Sequence, residues 1–186
     1  YGVEVVTANQ TDLRQFYELY QETARRDGFI LRSYDYYQRL WGGFLAQGMA
    51  CAFLARRQEQ VLAGCLVLLL GKKAWYILGA SRSDMREVRP NQLLQWEAMR
   101  WVKISGAESY DMWGLPDVLQ AGQPMWGLYQ FMRGFGGEVR RWIGAYDYIA
   151  RPNWTRVWRR AFPLYLRLRG RMANPLGAEA AAAGDA

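Results

Sequence analysis

The sequence predicts a mixed α/β (α+β) domain with a largely antiparallel sheet flanked by helices, and three observations carry that prediction. Apolar residues recur at helical spacing early in the chain and again after Pro90. Between those segments, two apolar runs of strand length, residues 49–55 and 61–70, bracket the polar turn 56–60, and a third, 74–80, follows Gly71-Lys72-Lys73. The chain has 186 residues, 51% hydrophobic and 22% charged, which fits one domain with a real core and excludes collagen-like, disordered and coiled-coil classes.

Each element follows from local chemistry. Residues 2–7 form a short β-branched strand. Thr11-Asp12 opens a helix whose Leu13, Phe16, Tyr17, Leu19, Tyr20 and Thr23 share one stripe, and Asp27-Gly28 ends it. A second helix, residues 34–47, repeats the pattern through Tyr37, Leu40, Trp41 and Phe44, and Gly48 supplies the stop. The three apolar runs then read as an antiparallel meander. Pro90 sits in the first turn of a third helix closed by Ser105-Gly106. Residues 108–112 follow as a strand, 113–124 as a turn-rich loop, 125–133 as a short helix and 138–150 as a long strand. A final helix, residues 152–169, carries Trp154, Val157, Trp158, Ala161 and Tyr165 on one face, expected to pack, and Arg156, Arg159, Arg160 and Arg167 on the other; Pro163 should kink it. The domain is expected to span 1–170, with 171–186 a disordered tail too poor in large apolar groups to pack.

Charge is unevenly placed. The formal net charge is +7, yet Arg151, Arg156, Arg159, Arg160, Arg167, Arg169 and Arg171 lie in one acid-free segment. Histidine is absent, which excludes Ser-His-Asp and Cys-His nucleophiles, histidine metal ligands and an imidazole base. Cys51 and Cys65 form no Cys-x-x-Cys pair and read as small apolar residues in a reducing compartment. The longest apolar run, residues 61–70, is far short of the ~20 residues a transmembrane helix needs, so no span is expected. The chain begins at Tyr1 rather than Met and reads as an excised piece.

The element order, with a meander in the middle and a strand after the long helix, resembles the GNAT acyltransferase fold. An acyl-CoA enzyme on that frame needs a glycine-rich turn at a helix N-terminus, where backbone N–H groups hold pyrophosphate. Residues 82–90 contain no glycine, and Arg133-Gly134-Phe135-Gly136-Gly137 leads into a predicted strand, so neither reads as that cradle.

Five motifs in order then resemble the Fem family of non-ribosomal aminoacyltransferases. They are Thr23-x-x-Arg26-x-Gly28-Phe29-x-x-Arg32, Trp75-Tyr76-x-x-Gly79-Ala80-Ser81, and Pro90-Asn91-x-Leu93-Leu94-x-Trp96-Glu97-Ala98. Gly106-x-x-x-Tyr110-Asp111-x-x-Gly114 follows, then Gly127-Leu128-Tyr129-x-Phe131-x-x-Gly134-Phe135-Gly136-Gly137 with Gly144-x-Tyr146-Asp147 after it. The resemblance implies the C-terminal GNAT-like half of a two-domain enzyme. Such an enzyme transfers an amino acid from aminoacyl-tRNA to the stem peptide of a UDP- or lipid-linked muramyl-pentapeptide precursor, in interpeptide bridge synthesis. It implies a cytoplasmic location, at the inner face of the plasma membrane for a lipid-linked precursor, and no cofactor or metal.

Amine attack on an activated ester needs orientation and a charge or N–H for the developing oxyanion, so the lack of histidine is no obstacle. The family normally has a lysine right after the phenylalanine that matches Phe131; this chain has Met132, and Arg133 is the neighbouring cation that could take its place. Arg133 and Asp111 are therefore the candidate catalytic residues, Asp111 either binding the substrate amine or capping a turn. Lys72 and Tyr76, four apart, are candidates to grip phosphate or carboxylate from one strand face, or else a solvated lysine and a packed ring. Arg26 and Arg32 are binding candidates or partners of Asp27 and Asp35, and Tyr129 and Phe131 complete the substrate-binding set, with packing as the alternative. Arg156, Arg159, Arg160 and Arg167 can face tRNA, an anionic membrane surface, or solvent alone.

Overall fold

A computed structural model describes residues 2–123 and 125–173, without the side chains of 86 and 167–173. They fall into two compact units, one up to Phe135 and one from Gly136 on.

The first unit is built on a five-stranded sheet in the order β1 (Glu4–Ala8), β2 (Ala50–Arg57), β3 (Gln60–Leu70), β4 (Lys73–Ser81) and β5 (Ser109–Asp111). The first four strands pair antiparallel as neighbours, and β5 pairs parallel to β4. A parallel partner needs a crossover, and helix α3 (Pro90–Ile104) supplies it. Helices α1 (Leu13–Asp27) and α2 (Tyr34–Ala46) precede the meander, and α4 (Trp126–Arg133) follows the long loop after β5.

Both faces of the sheet are covered, and this explains why β2 and β3 read as continuous apolar runs rather than alternating ones. One face packs Leu54, Leu66 and Ala80 against Phe16, Leu19 and Trp41 of α1 and α2. The other packs Phe53, Cys65, Val67 and Ala74 against Leu94, Ala98 and Val102 of α3. Cys51 and Cys65 are buried, and burial pushes the Cys51 thiol up to about 11. They serve as small core residues.

Local caps set the helix ends. The Asn9 side chain accepts from the N–H groups of Thr11 and Asp12 at 2.7 and 3.3 Å, while Asp12 Oδ2 accepts from Asn9 N–H at 2.9 Å. This capping box starts a 3-10 turn (Gln10–Asp12) that leads into α1. Gly28 ends α1 in the left-handed region, φ 75°, where a side chain would be strained.

The second unit departs from the sequence expectation. Residues 138–150 form no strand; their backbone joins no ladder among the described residues. Their β-branched and aromatic content favours a strand, but a strand exists only where an edge pairs with it, and Trp142, Ile143 and Tyr148 stand 79%, 87% and 94% exposed. Helix α5 (Pro152–Ala173) is present, runs unbroken through Pro163 and passes the expected end at residue 169. Its aromatic face does not pack as expected. Trp154 and Trp158 stay exposed, with Trp158 stacked on Phe162 of the same helix, centroids 4.9 Å apart. The remainder of the expected tail, residues 174–186, lies outside the described residues.

Candidate active site

The sheet opens at one end. β5 pairs with β4 at only three positions, Lys73↔Ser109, Ala74↔Tyr110 and Trp75↔Asp111. β4 continues to Ser81 with β3 on one side and, among the described residues, no ladder partner on the other. The register steps from Val67↔Tyr76 to Leu66↔Leu78, so Ile77 is an extra residue. A bulge of this kind bends the strand and re-aims the side chains beside it.

At the fork lies a buried polar cluster. Gln95, 1% exposed on the core side of α3, accepts a hydrogen bond from the Tyr110 hydroxyl at 2.8 Å. The Gln95 side chain also interacts with the Tyr76 phenol, which works against the rise in its pKa. Burial, and next the nearby Cys65, push both phenols well above the usual tyrosine range, so both stay protonated donors across physiological pH. Tyr110→Phe would leave the Gln95 carbonyl oxygen without its donor, and chemical denaturation is expected to show a loss of about 1–3 kcal/mol. An unchanged midpoint would mean that the cluster holds nothing.

Asp111 stands where the two strands part. It pairs with Lys73 at 2.8 Å and accepts from Trp113 N–H at 2.9 Å. Burial works to raise its carboxyl, but the Lys73 and Trp113 hydrogen bonds together outweigh it and hold the group below the ordinary carboxylate range. Its contribution to stability is therefore present above the unfolded value of about 4 and lost as pH falls through the lowered folded value. Lys73→Met is expected to move the Asp111 titration upward in a carboxyl NMR experiment; an unmoved curve would show that the ion pair is inert.

The other sequence candidates lie apart from this fork. Arg26 donates to the Ser81 carbonyl at 2.7 Å and to Asp27 at 2.8 Å. Thr23 Oγ1 accepts from Ser81 N–H at 3.0 Å, and the Glu22 carboxylate accepts from Ser83 N–H at 2.8 Å. Together they clamp the far end of β4 to α1. Arg32 lies over the Tyr36 ring at 5.4 Å, and its carbonyl accepts from the Tyr17 hydroxyl at 2.9 Å. Lys72 does not share a strand face with Tyr76. It occupies the hairpin turn before β4 begins, exposed, with its ammonium 2.6 Å from Glu108.

On α4, Tyr129 packs on Trp126, centroids 5.2 Å apart, and Phe131 meets Phe135 edge to face at 5.3 Å. Met132 is buried and Arg133 is exposed, so the thioether faces inward and the guanidinium outward. In the second unit, Arg159 lies 3.4 Å from Asp147, Arg156 donates to Asn153 at 3.3 Å, and Arg160 is exposed. The Arg167 side chain lies outside the described residues.

Two residues at the fork, Gln95 and Lys73, were missed by sequence reasoning. Gln95 left a signal, a polar residue beside the apolar stripe Leu94, Ala98 and Val102. Lys73 left none beyond its adjacency to Lys72. The glycine-free loop after β4 holds left-handed backbone all the same, at Met85 (φ 53°) and Arg89 (φ 51°).

The fold is matched by known proteins. The acetyltransferase (GNAT) domain model matches residues 1–122. The chain belongs to the GNAT family. Among curated relatives of this GNAT domain, the lipid II:glycine glycyltransferase of Staphylococcus haemolyticus is 24% identical over 80% of this chain and 51% of its own length. The UDP-N-acetylmuramoylpentapeptide-lysine N(6)-alanyltransferase of Weissella viridescens is 29% identical over 82% of this chain and 44% of its own. The crystal structure of FemX superposes on the GNAT domain with a TM-score of 0.65 at 21% identity, covering 73% of this chain and 50% of that one. These homologues bear out the Fem resemblance in the motifs. The chain spans about half the length of the curated relatives it matches.

Proposed function

We propose that this GNAT domain is one half of a Fem-type aminoacyltransferase, which moves an amino acid from aminoacyl-tRNA to the stem peptide of a UDP- or lipid-linked muramyl-pentapeptide precursor. The observation that carries the reading is the relationship to peptidoglycan glycyl- and alanyltransferases over 80% or more of the chain. The open β4–β5 fork, with protonated phenols and a carboxylate at its vertex, is compatible with the chemistry required.

In that reaction the stem-peptide amine attacks the ester carbonyl, a C–N bond forms, the C–O bond to the tRNA ribose breaks, and the ribose hydroxyl leaves with the proton given up by the amine. Asp111, held ionised, is a weak base, so its part is to orient the incoming ammonium or amine rather than to strip it. The free β4 edge offers backbone N–H and C=O groups to an extended substrate. Arg133, exposed at the end of α4, is the available cation for the developing oxyanion, since buried Met132 carries no charge. The partners are charged tRNA and the precursor. The reaction belongs to the cytoplasm, at the inner face of the plasma membrane when the precursor is lipid-linked.

The test is a transfer assay with the full-length protein, a mixture of charged tRNAs and both precursor forms, read by mass spectrometry. A precursor heavier by one aminoacyl residue is expected, with loss of product on Asp111→Asn. No product with any charged tRNA, together with saturable acetyl-CoA binding, would replace this reading by acyl-CoA-dependent acyl transfer on the same frame.

A further inference from the structure

The geometry points to the second unit as a peripheral anchor that seats on an anionic lipid bilayer. This goes beyond the transfer reading and stands whether or not that reading holds. Residues 136–166 hold Arg140, Arg141, Arg151, Arg156, Arg159 and Arg160 against two acids, Glu138 and Asp147. Asp147 is already engaged with Arg159. So one-sided a charge seeks a polyanion, and burial of its own apolar groups is missing as well.

The apolar groups decide between polyanions. Trp142, Ile143 and Tyr148 precede α5, and Trp154, Trp158 and Leu164 lie on it, all more than half exposed. Nucleic acid is bound by cations with aromatic rings for stacking, and exposed aliphatic groups such as Ile143 and Leu164 gain nothing there. A bilayer interface takes all three classes: arginines at anionic headgroups, tryptophan and tyrosine at the carbonyl level, and aliphatic side chains among the acyl chains. The helix has the matching division, with Trp154 and Trp158 one turn apart and Arg156, Arg159 and Arg160 on the opposite side. Among the described residues no helix is long and apolar enough to cross a membrane, so the mode of contact is a helix lying in the interface.

The experiment uses the whole chain with vesicles of phosphatidylcholine alone, or of phosphatidylcholine mixed with phosphatidylglycerol, followed by co-sedimentation and tryptophan emission. Binding is expected only to the anionic vesicles, with a blue shift of emission. Affinity should fall about tenfold or more in Trp154→Ser/Trp158→Ser and equally in Arg156→Glu/Arg159→Glu/Arg160→Glu, since apolar insertion and headgroup attraction act together. These positions are exposed, so the variants retain the fold, which circular dichroism checks. Three results would overturn the anchor: no vesicle binding; vesicle binding lost on charge reversal but unmoved by the serine pair, with tRNA bound more tightly; or a wild-type dimer that the serine pair dissolves, which would make the face a contact between copies. None of these results bears on the transfer assay, so the two readings fail separately.

Discussion

Trp41→Ala is expected to lower stability by about 3–5 kcal/mol, the range for removing a fully buried large aromatic side chain. Trp41 has no exposed surface and is the one buried residue of α2. Its ring contacts Phe16 at 4.9 Å and Tyr37 at 4.6 Å between centroids, with Tyr20 edge-on at 6.2 Å. Without it, α2 keeps only half-buried side chains, Tyr34, Tyr37, Phe44 and Leu45, to hold it on the sheet, and the loss is expected to reach the whole first unit. The Trp41 indole N–H is buried with no acceptor among the described residues, so Trp41→Phe, which removes an unsatisfied donor along with some volume, should cost clearly less. Urea denaturation of the two variants checks this. Equal losses would show that the indole N–H is not an unsatisfied donor, and a loss below about 1 kcal/mol for alanine would show that α2 is not anchored here.

Gly79→Ala is expected to cost about 1–3 kcal/mol and to abolish whatever the fork does. A Cβ at this position would fall on the Tyr76 hydroxyl. The Tyr76 ring packs against the α3-side core, which resists its displacement. Displacing the phenol is expected to disturb its interaction with Gln95 and with it the fork. Tyr76→Phe separates the two effects, since it removes the hydroxyl while keeping the ring. A double variant, Gly79→Ala with Tyr76→Phe, should recover part of the stability lost by Gly79→Ala alone, because the nearest clashing atom is gone and only the ring carbon Cζ, at 2.7 Å, remains too close. If the double variant is no more stable than the single one, the close approach of Tyr76 to Gly79 is not the cause.

How far the sequence spoke depended on whether local pattern or long-range register decided the outcome. The meander was legible because β2 and β3 are buried on both faces and must be apolar throughout, and because Arg57–Gln60 and Leu70–Lys73 close as tight turns. The helices were legible from their stripes, α1 through Phe16, Leu19 and Thr23, and α3 through Leu94, Ala98 and Val102. Residues 138–150 misled for the opposite reason: strand propensity is a local property, while strand formation needs an edge elsewhere in the chain. At the fork, Asp111 and Tyr76 fell within motifs and were singled out, while Tyr110 stood in the same motif as Asp111 without being given a role. The division of labour between Lys72 and Lys73 was hidden, because the two-residue hairpin that places Lys72 in the turn and Lys73 in the strand is a matter of register. Arg26 was found for its type, yet its observed bonds to Ser81 and Asp27 hold β4 in place.

The three-residue pairing of β5 also sets an order of assembly. Each joint among β1 to β4 beyond the first helices is a hairpin between chain neighbours, whose closure costs little entropy. β5 can pair only after the whole of α3 and its flanking turns have been laid across the sheet, and it then gains just three register positions. Within the sheet the fork is therefore expected to form after the meander and to open before it, so the amides of Ser109–Asp111 should exchange with solvent well before those of β3. On the proposed reading, the place where a substrate enters is the place where the sheet opens at least cost.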